Sequence, residues 1–167
     1  SLRVHETTLD VNLEAITENL NFYRSFMKPE TKITCMVKAS AYGAGSVEIA
    51  KTLQDRGVDY LAVAVADEGV TLRREGIRQD ILIMGSTLPF QYAPAVECDL
   101  TVTVSRLGMV PELAEVCKAQ SKPLNVQIKL ETGMHRIGVE PGEVDLGGGH
   151  VAHGLLGGDE VGEALAA

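Results

Sequence analysis

Lys38 ends an apolar run, "ITCMV" (33–37), and is followed at once by "ASAYGAG" (39–45). A lysine in that position either snorkels to water or keeps its amine partly buried. Partial burial lowers the amine's pKa and leaves a neutral nucleophile, the form that attacks a carbonyl to make a Schiff base. The small residues behind it leave backbone N–H groups accessible, and Tyr42 adds a hydroxyl; both suit a phosphate. The Gly-x-Gly at 43–45 is, taken alone, equally a plain strand-to-helix turn. A second cluster is "IKLETGMHRIG" (128–138). Lys129 and Glu131 alternate with Ile128 and Leu130 and so share one strand face. Inward charges are costly unless paired, and Arg136, beyond the turn at Gly133, is a natural partner for a nearby anion. Read without further context, this cluster is more readily a surface salt-bridge group. His150 and His153 stand three apart, with Asp159 and Glu160 downstream, but nothing completes a ligand set, so no metal is expected. His135 and His5 read as exposed or structural.

The elements that must position these residues recur evenly. Apolar runs at 33–37, 60–66, 80–85, 99–105 and 124–131 read as strands, and the first three are nearly continuous in hydrophobicity, as strands covered on both faces should be. Between them "GSVEIAKTLQDRG" (45–57) places Val47, Ile49, Ala50 and Leu53 on one side and stops at Gly57. "DEGVTLRREG" (67–76) repeats the pattern and ends at Gly76, and "PELAEVCKAQ" (111–120) starts with a proline suited to a first helical turn. Ahead of these, 12–27 reads as an amphipathic helix with Leu13, Ile16, Leu20 and Tyr23 on one side. Alternating strands and helices with short connections imply an α/β protein with a parallel sheet. The repeat length fits a doubly wound sheet or an eight-fold barrel. The candidate residues fall just past the C-terminal ends of strands, where barrel sites are built. From Leu146 onward the sequence holds seven of its 17 glycines, so a domain over 1–145 and a glycine-rich end over 146–167 are expected.

Bulk properties narrow the partners. With 167 residues and 45% hydrophobic composition, one ordinary domain can bury a core. A net charge of −8, with no basic run longer than Arg73–Arg74, excludes nucleic acid and the membrane surface as expected partners. Cys35, Cys98 and Cys117 lack metal-type spacing and read as free thiols in a reducing compartment. No signal-like leader opens the sequence, and the longest apolar stretch, at 60–66, is too short to span a bilayer, so a soluble cytoplasmic protein is expected.

With both clusters in view, the sequence resembles the N-terminal domain of bacterial alanine racemases, over most of residues 6–140. The resemblance rests on "TTLDVNLEAITENLNFYR", "CMVKASAYGAG", "DYLAVAVADEGVTLRREGI", "ILIMG" and "IKLETGMHRIGV". It implies a (β/α)8 TIM-type barrel, incomplete in this chain, and a C-terminal β domain that is absent from it. It also implies pyridoxal 5'-phosphate (PLP) as cofactor, alanine as substrate, a homodimer for the full-length enzyme and a role in supplying D-alanine for peptidoglycan. Matched residue by residue, Lys38 is similar to the lysine that holds PLP covalently and acts as one of two catalytic bases. Tyr42 matches the tyrosine that binds the cofactor phosphate. Arg136 matches the arginine that bonds the cofactor's phenolic oxygen and orients the substrate carboxylate. Lys129 matches a lysine that is often carbamylated, which would turn an inward cation into an anion able to hold Arg136. The family's usual asparagine and histidine stand here as Ser40 and Ala44, read as changes in loop packing. "HGLLGGDE" (153–160) is weakly similar to a seventh-strand motif of the family. The alternatives are another PLP-dependent amino-acid racemase and a non-catalytic, single-domain PLP carrier.

Overall fold

Asn12 starts the first helix by satisfying two of its orphan donors: its Oδ1 accepts the N–H of Glu14 at 2.9 Å and of Ala15 at 3.3 Å. The computed structural model describes residues 7–143; the glycine-rich end, "HGLLGGDE", His5 and the His150/His153 pair lie outside the described residues. Helix α1 (Leu13–Arg24) precedes strand β1 (Thr34–Met36), a short turn α2 (Lys38–Tyr42) and helix α3 (Ser46–Asp55). Strands β2 (Tyr60–Val63), β3 (Asp80–Ile83), β4 (Leu100–Val104) and β5 (Val126–Ile128) then alternate with helices α4 (Ala66–Arg74), α5 (Pro89–Glu97) and α6 (Met109–Gln120), and a 3₁₀ turn follows at Pro141–Glu143. All five strands expected from the sequence are present, each shorter than its apolar run.

The strands are parallel and lie in the order β1-β2-β3-β4-β5. A doubly wound sheet reverses its order at a switch point. A barrel adds each strand beside the previous one. The unreversed order therefore selects the barrel, with five strands of an α/β barrel in place. Leu61, Val63, Ile81, Ile83, Leu100, Val102 and Val104 join one buried cluster with Ile49, Leu53, Leu72, Val96 and Leu113 of the helices. Each such side chain contributes roughly 1.5–3 kcal/mol by leaving water. Alternate positions (Met36, Ala62, Leu82, Thr103 and Gln127) turn to the opposite, inner face. There the Gln127 amide donates to the Thr103 hydroxyl at 2.9 Å.

Glycines close two helices as the sequence suggests. Gly57 (φ 64) and Gly76 (φ 87) adopt the left-handed conformation, and the next residues bond back, Val58 N–H to Leu53 and Ile77 N–H to Leu72. At the base of the sheet, Arg73 donates to the carbonyls of Cys98, Ile77, Gln79 and Asp99 at 2.6–3.0 Å, tying α4 to the segments that enter β3 and β4. One expectation needs correction. Tyr23 is 67% exposed, whereas Leu13, Ile16 and Leu20 pack toward the core as expected. Thr17 receives Arg56 at 3.3 Å and Arg24 donates to the Gly57 carbonyl at 2.8 Å. The stretch between β3 and β4, given no element in the sequence, forms helix α5 with Pro89 and Pro94 in it. Pro89 serves as its first residue, and Gln91 reaches back to accept the Leu88 N–H at 3.0 Å.

Candidate functional site

The ladder of β1 runs one residue past the strand, where Val37 N–H donates to the Ala62 carbonyl at 2.8 Å. Val37 is buried on the helix side, so Lys38 is the next position on the inner-facing row; it is half-buried. The chain then changes hand. Ala39, Ser40, Ala41 and Tyr42 have φ of 51, 55, 52 and 56, a single left-handed turn, and Gly43 (φ 91) and Gly45 (φ 96) extend the positive-φ stretch. Left-handed backbone costs an L-residue about 1–2 kcal/mol, so four in a row cost on the order of 4–8 kcal/mol before compensation. Some of that is offset by bonds inside the turn: Ala41 N–H to the Val37 carbonyl and Gly43 N–H to that of Ala39, both 3.0 Å. More comes from Glu68, in the first turn of α4, whose carboxylate accepts the Ala39 N–H at 2.7 Å. Ser40 occupies a place where asparagine would tolerate this backbone better than serine does. Tyr42 ends the turn with its side chain 69% exposed.

The second cluster sits at the same end of the sheet, past β5. Lys129 N–H donates to the Val104 carbonyl at 2.9 Å, so the ladder carries Lys129 onto the inner row after Gln127; it too is half-buried. From Glu131 the chain leaves in a closed loop that returns at Val139. Glu131 N–H bonds the Val139 carbonyl at 2.9 Å and Val139 N–H bonds the Lys129 carbonyl at 2.8 Å. Arg136 is presented, exposed, by that loop. The Glu131 side chain is only 9% exposed. Its carboxylate is turned into its own loop, where the backbone N–H groups of His135 and Gly133 hold its pKa below the ordinary carboxylate value. Glu131 is therefore not an ion-pair partner of Lys129. A lowered folded-state pKa means that this stabilisation is present above the unfolded pKa of about 4.3 and is lost as pH falls through the folded value. The wild-type thermal midpoint should accordingly drop on acidification more steeply than that of Glu131→Gln. Equal slopes would show that the carboxylate does not hold the loop.

Among the described residues the ion pairs are Arg106–Glu112 at 2.8 Å and Lys122–Asp99 at 2.9 Å. Neither includes Lys38, Lys129 or Arg136. An unmodified lysine has the same charge as arginine and cannot hold it by charge. Glu68 and Glu131, the carboxylates beside the site, both accept backbone N–H groups. Lys38 and Tyr42 thus follow the C-terminal end of β1, and Lys129 and Arg136 follow that of β5.

Comparison with known proteins gives this geometry a family. A family model described as "Alanine racemase, N-terminal domain" matches residues 11–152. The chain belongs to the alanine racemase N-terminal domain family. Alanine racemase 2 of Caldanaerobacter subterraneus subsp. tengcongensis is 40% identical over 135 residues, which are 81% of this chain and 35% of that protein. The alanine racemase of Desulforamulus reducens is 36% identical over 137 residues, 82% of this chain and 37% of that protein. The solved structure of Clostridium difficile 630 alanine racemase in complex with cycloserine superposes with a TM-score of 0.78 at 35% identity, covering 86% of this chain and 38% of that one. The chain thus spans little more than a third of the length of these alanine racemases. The α/β barrel of that domain agrees with the five parallel strands observed. No helix among the described residues is long and apolar enough to cross a membrane.

The residues present fit the family's cofactor chemically. PLP carries a phosphate, a phenolic oxygen and an aldehyde. The alanine racemase domain supplies an amine, a phenol and a guanidinium from two loops at one sheet end, none of them neutralised by a carboxylate among the described residues. Sequence reading assigned no role to Glu68 and did not disclose that Glu131 accepts the backbone N–H groups of its own loop. The available signal for Glu68 was its place three residues after the N-cap Val65, the position of a capping glutamate.

Proposed function

We propose that this domain is the cofactor-binding part of a PLP-dependent racemase that interconverts L- and D-alanine. D-Alanine would go to cell-wall peptidoglycan, and the enzyme would work as a cytoplasmic homodimer. The observation that supports this reading best is the placement of Lys38 after β1 and of the Arg136 loop after β5 at the same end of the sheet, both cationic and both without a carboxylate partner among the described residues. We take 1–145 as the barrel part and 146–167 as a separate end.

In this reading Lys38 would hold PLP through Nζ and would move the α-proton on one face of the substrate. Tyr42 donates its hydroxyl to the phosphate. Arg136 donates to the phenolic oxygen and orients the substrate carboxylate. Lys129, when carbamylated, gives Arg136 an anion to rest on. The bound cofactor supplies the electron sink that makes the α-hydrogen acidic.

The test uses the full-length protein. PLP is added, the visible absorption band recorded, the product reduced with borohydride and the modified lysine mapped; racemisation of alanine and of serine is then followed by chiral analysis. Modification of Lys38 with alanine turned over faster than serine is expected. A preference for serine would replace the substrate, PLP on Lys38 without racemisation would make the protein a carrier, and PLP elsewhere would overturn the assignment.

A further inference from the structure

We propose that Glu68 is the positioning residue for Lys38, holding the left-handed turn that aims its amine. The proposal rests on the reading of Lys38 as the cofactor lysine and deepens it. One oxygen of Glu68 does an ordinary job at the start of α4, with Oε2 accepting Ala64 N–H at 2.8 Å and Val65 N–H at 3.4 Å. Helix capping asks nothing more of the side chain. The other oxygen, Oε1, reaches to a different strand's loop and takes the N–H of Ala39 at 2.7 Å. Ala39 directly follows Lys38 and is the first left-handed residue. Lys38 is therefore flanked by two backbone anchors: Val37 N–H on the Ala62 carbonyl at 2.8 Å, and Ala39 N–H on Glu68. Both anchors belong to the segment that runs from β2 into α4. The lysine side chain swings from a point fixed on either side, which is what a near-attack geometry requires. Because both carboxylate oxygens are engaged by amides, Glu68 holds the lysine's backbone without forming an ion pair with its amine.

The alternative is that Glu68 merely caps α4, and two variants of the full-length protein separate the roles. Glu68→Ala removes both functions. Val65→Ser/Glu68→Ala restores a cap, since Val65 is the extended N-cap residue and is 41% exposed. The expected result is that the double variant recovers the thermal midpoint. In both variants the Ala39 amide should lose its protection against hydrogen exchange, and the rate at which added PLP is captured on Lys38 should fall about tenfold or more. Formaldehyde, a carbonyl too small to need aiming, should methylate Lys38 under reducing conditions at an almost unchanged rate. Recovery of Ala39 protection and PLP capture together with stability would overturn the proposal and leave Glu68 a helix cap. If the wild type takes no PLP on Lys38, the functional reading fails by itself. The role of Glu68 is then decided by Ala39 exchange: protection unchanged by Glu68→Ala overturns it.

Discussion

Lys38→Ala in the full-length protein is expected to abolish reducible attachment of PLP and to lower alanine turnover by about 10³-fold or more, the scale of losing a positioned acid–base group. The size follows from two losses at one atom. In the proposed reading, the amine that would bind the cofactor disappears, and so does the base that would act at the α-carbon. Lys38→Arg separates charge from nucleophilicity. It keeps a cation on the inner row next after Met36, but a guanidinium stays protonated at every working pH. It should therefore retain PLP as a dissociable ligand and still fail to attach it. Lys129→Ala should give the opposite pattern, with covalent attachment preserved and the hold on Arg136 that the proposed carbamylation would provide weakened. A reducible adduct of undiminished stoichiometry in Lys38→Ala would sink the assignment, since the two half-buried lysines at this sheet end would then be interchangeable.

How far the sequence disclosed this site depends on which physical signal each part carries. The strands were legible because burial on both faces writes itself as continuous hydrophobicity at Leu61–Val63 and Ile81–Ile83. The barrel was not separable from a doubly wound sheet, because both use the same βα repeat and differ only in strand order. Lys38 was legible as a charge ending an apolar run. The left-handed turn behind it was not: Ala-Ser-Ala-Tyr holds no glycine, and no local propensity favours four such residues in succession. What stabilises the turn is distant in sequence, a glutamate 29 residues on whose position follows from parallel pairing of β1 with β2. Glu131 shows the complementary failure. Alternation placed it correctly near Lys129, but side-chain alternation says nothing of backbone N–H groups, which in this loop outcompete the lysine for its carboxylate.

Gly138→Ala is expected to cost about 2–4 kcal/mol and to detach the Arg136 loop from the sheet end. Gly138 has φ 144, where an L side chain is strained, and a Cβ there would stand 2.8 Å from the Glu131 nitrogen and 3.0 Å from the Leu130 carbonyl carbon. Those are backbone atoms of the segment that pairs with Val139, so nothing flexible can move aside. Relief must come from opening the paired bonds between Glu131, Val139 and Lys129 that close the loop. Gly133→Ala is the matched control. Its φ of 118 is also unfavourable, but an added Cβ meets nothing within 4 Å, so it incurs conformational strain alone. Denaturant titrations should rank the variants wild type, Gly133→Ala, Gly138→Ala in falling stability. PLP affinity should fall further in Gly138→Ala, because Arg136 sits midway round the loop and its aim depends on closure at both ends. Equal losses in the two variants would mean that the tight approach of Gly138 to Leu130 and Glu131 does not determine where Arg136 stands.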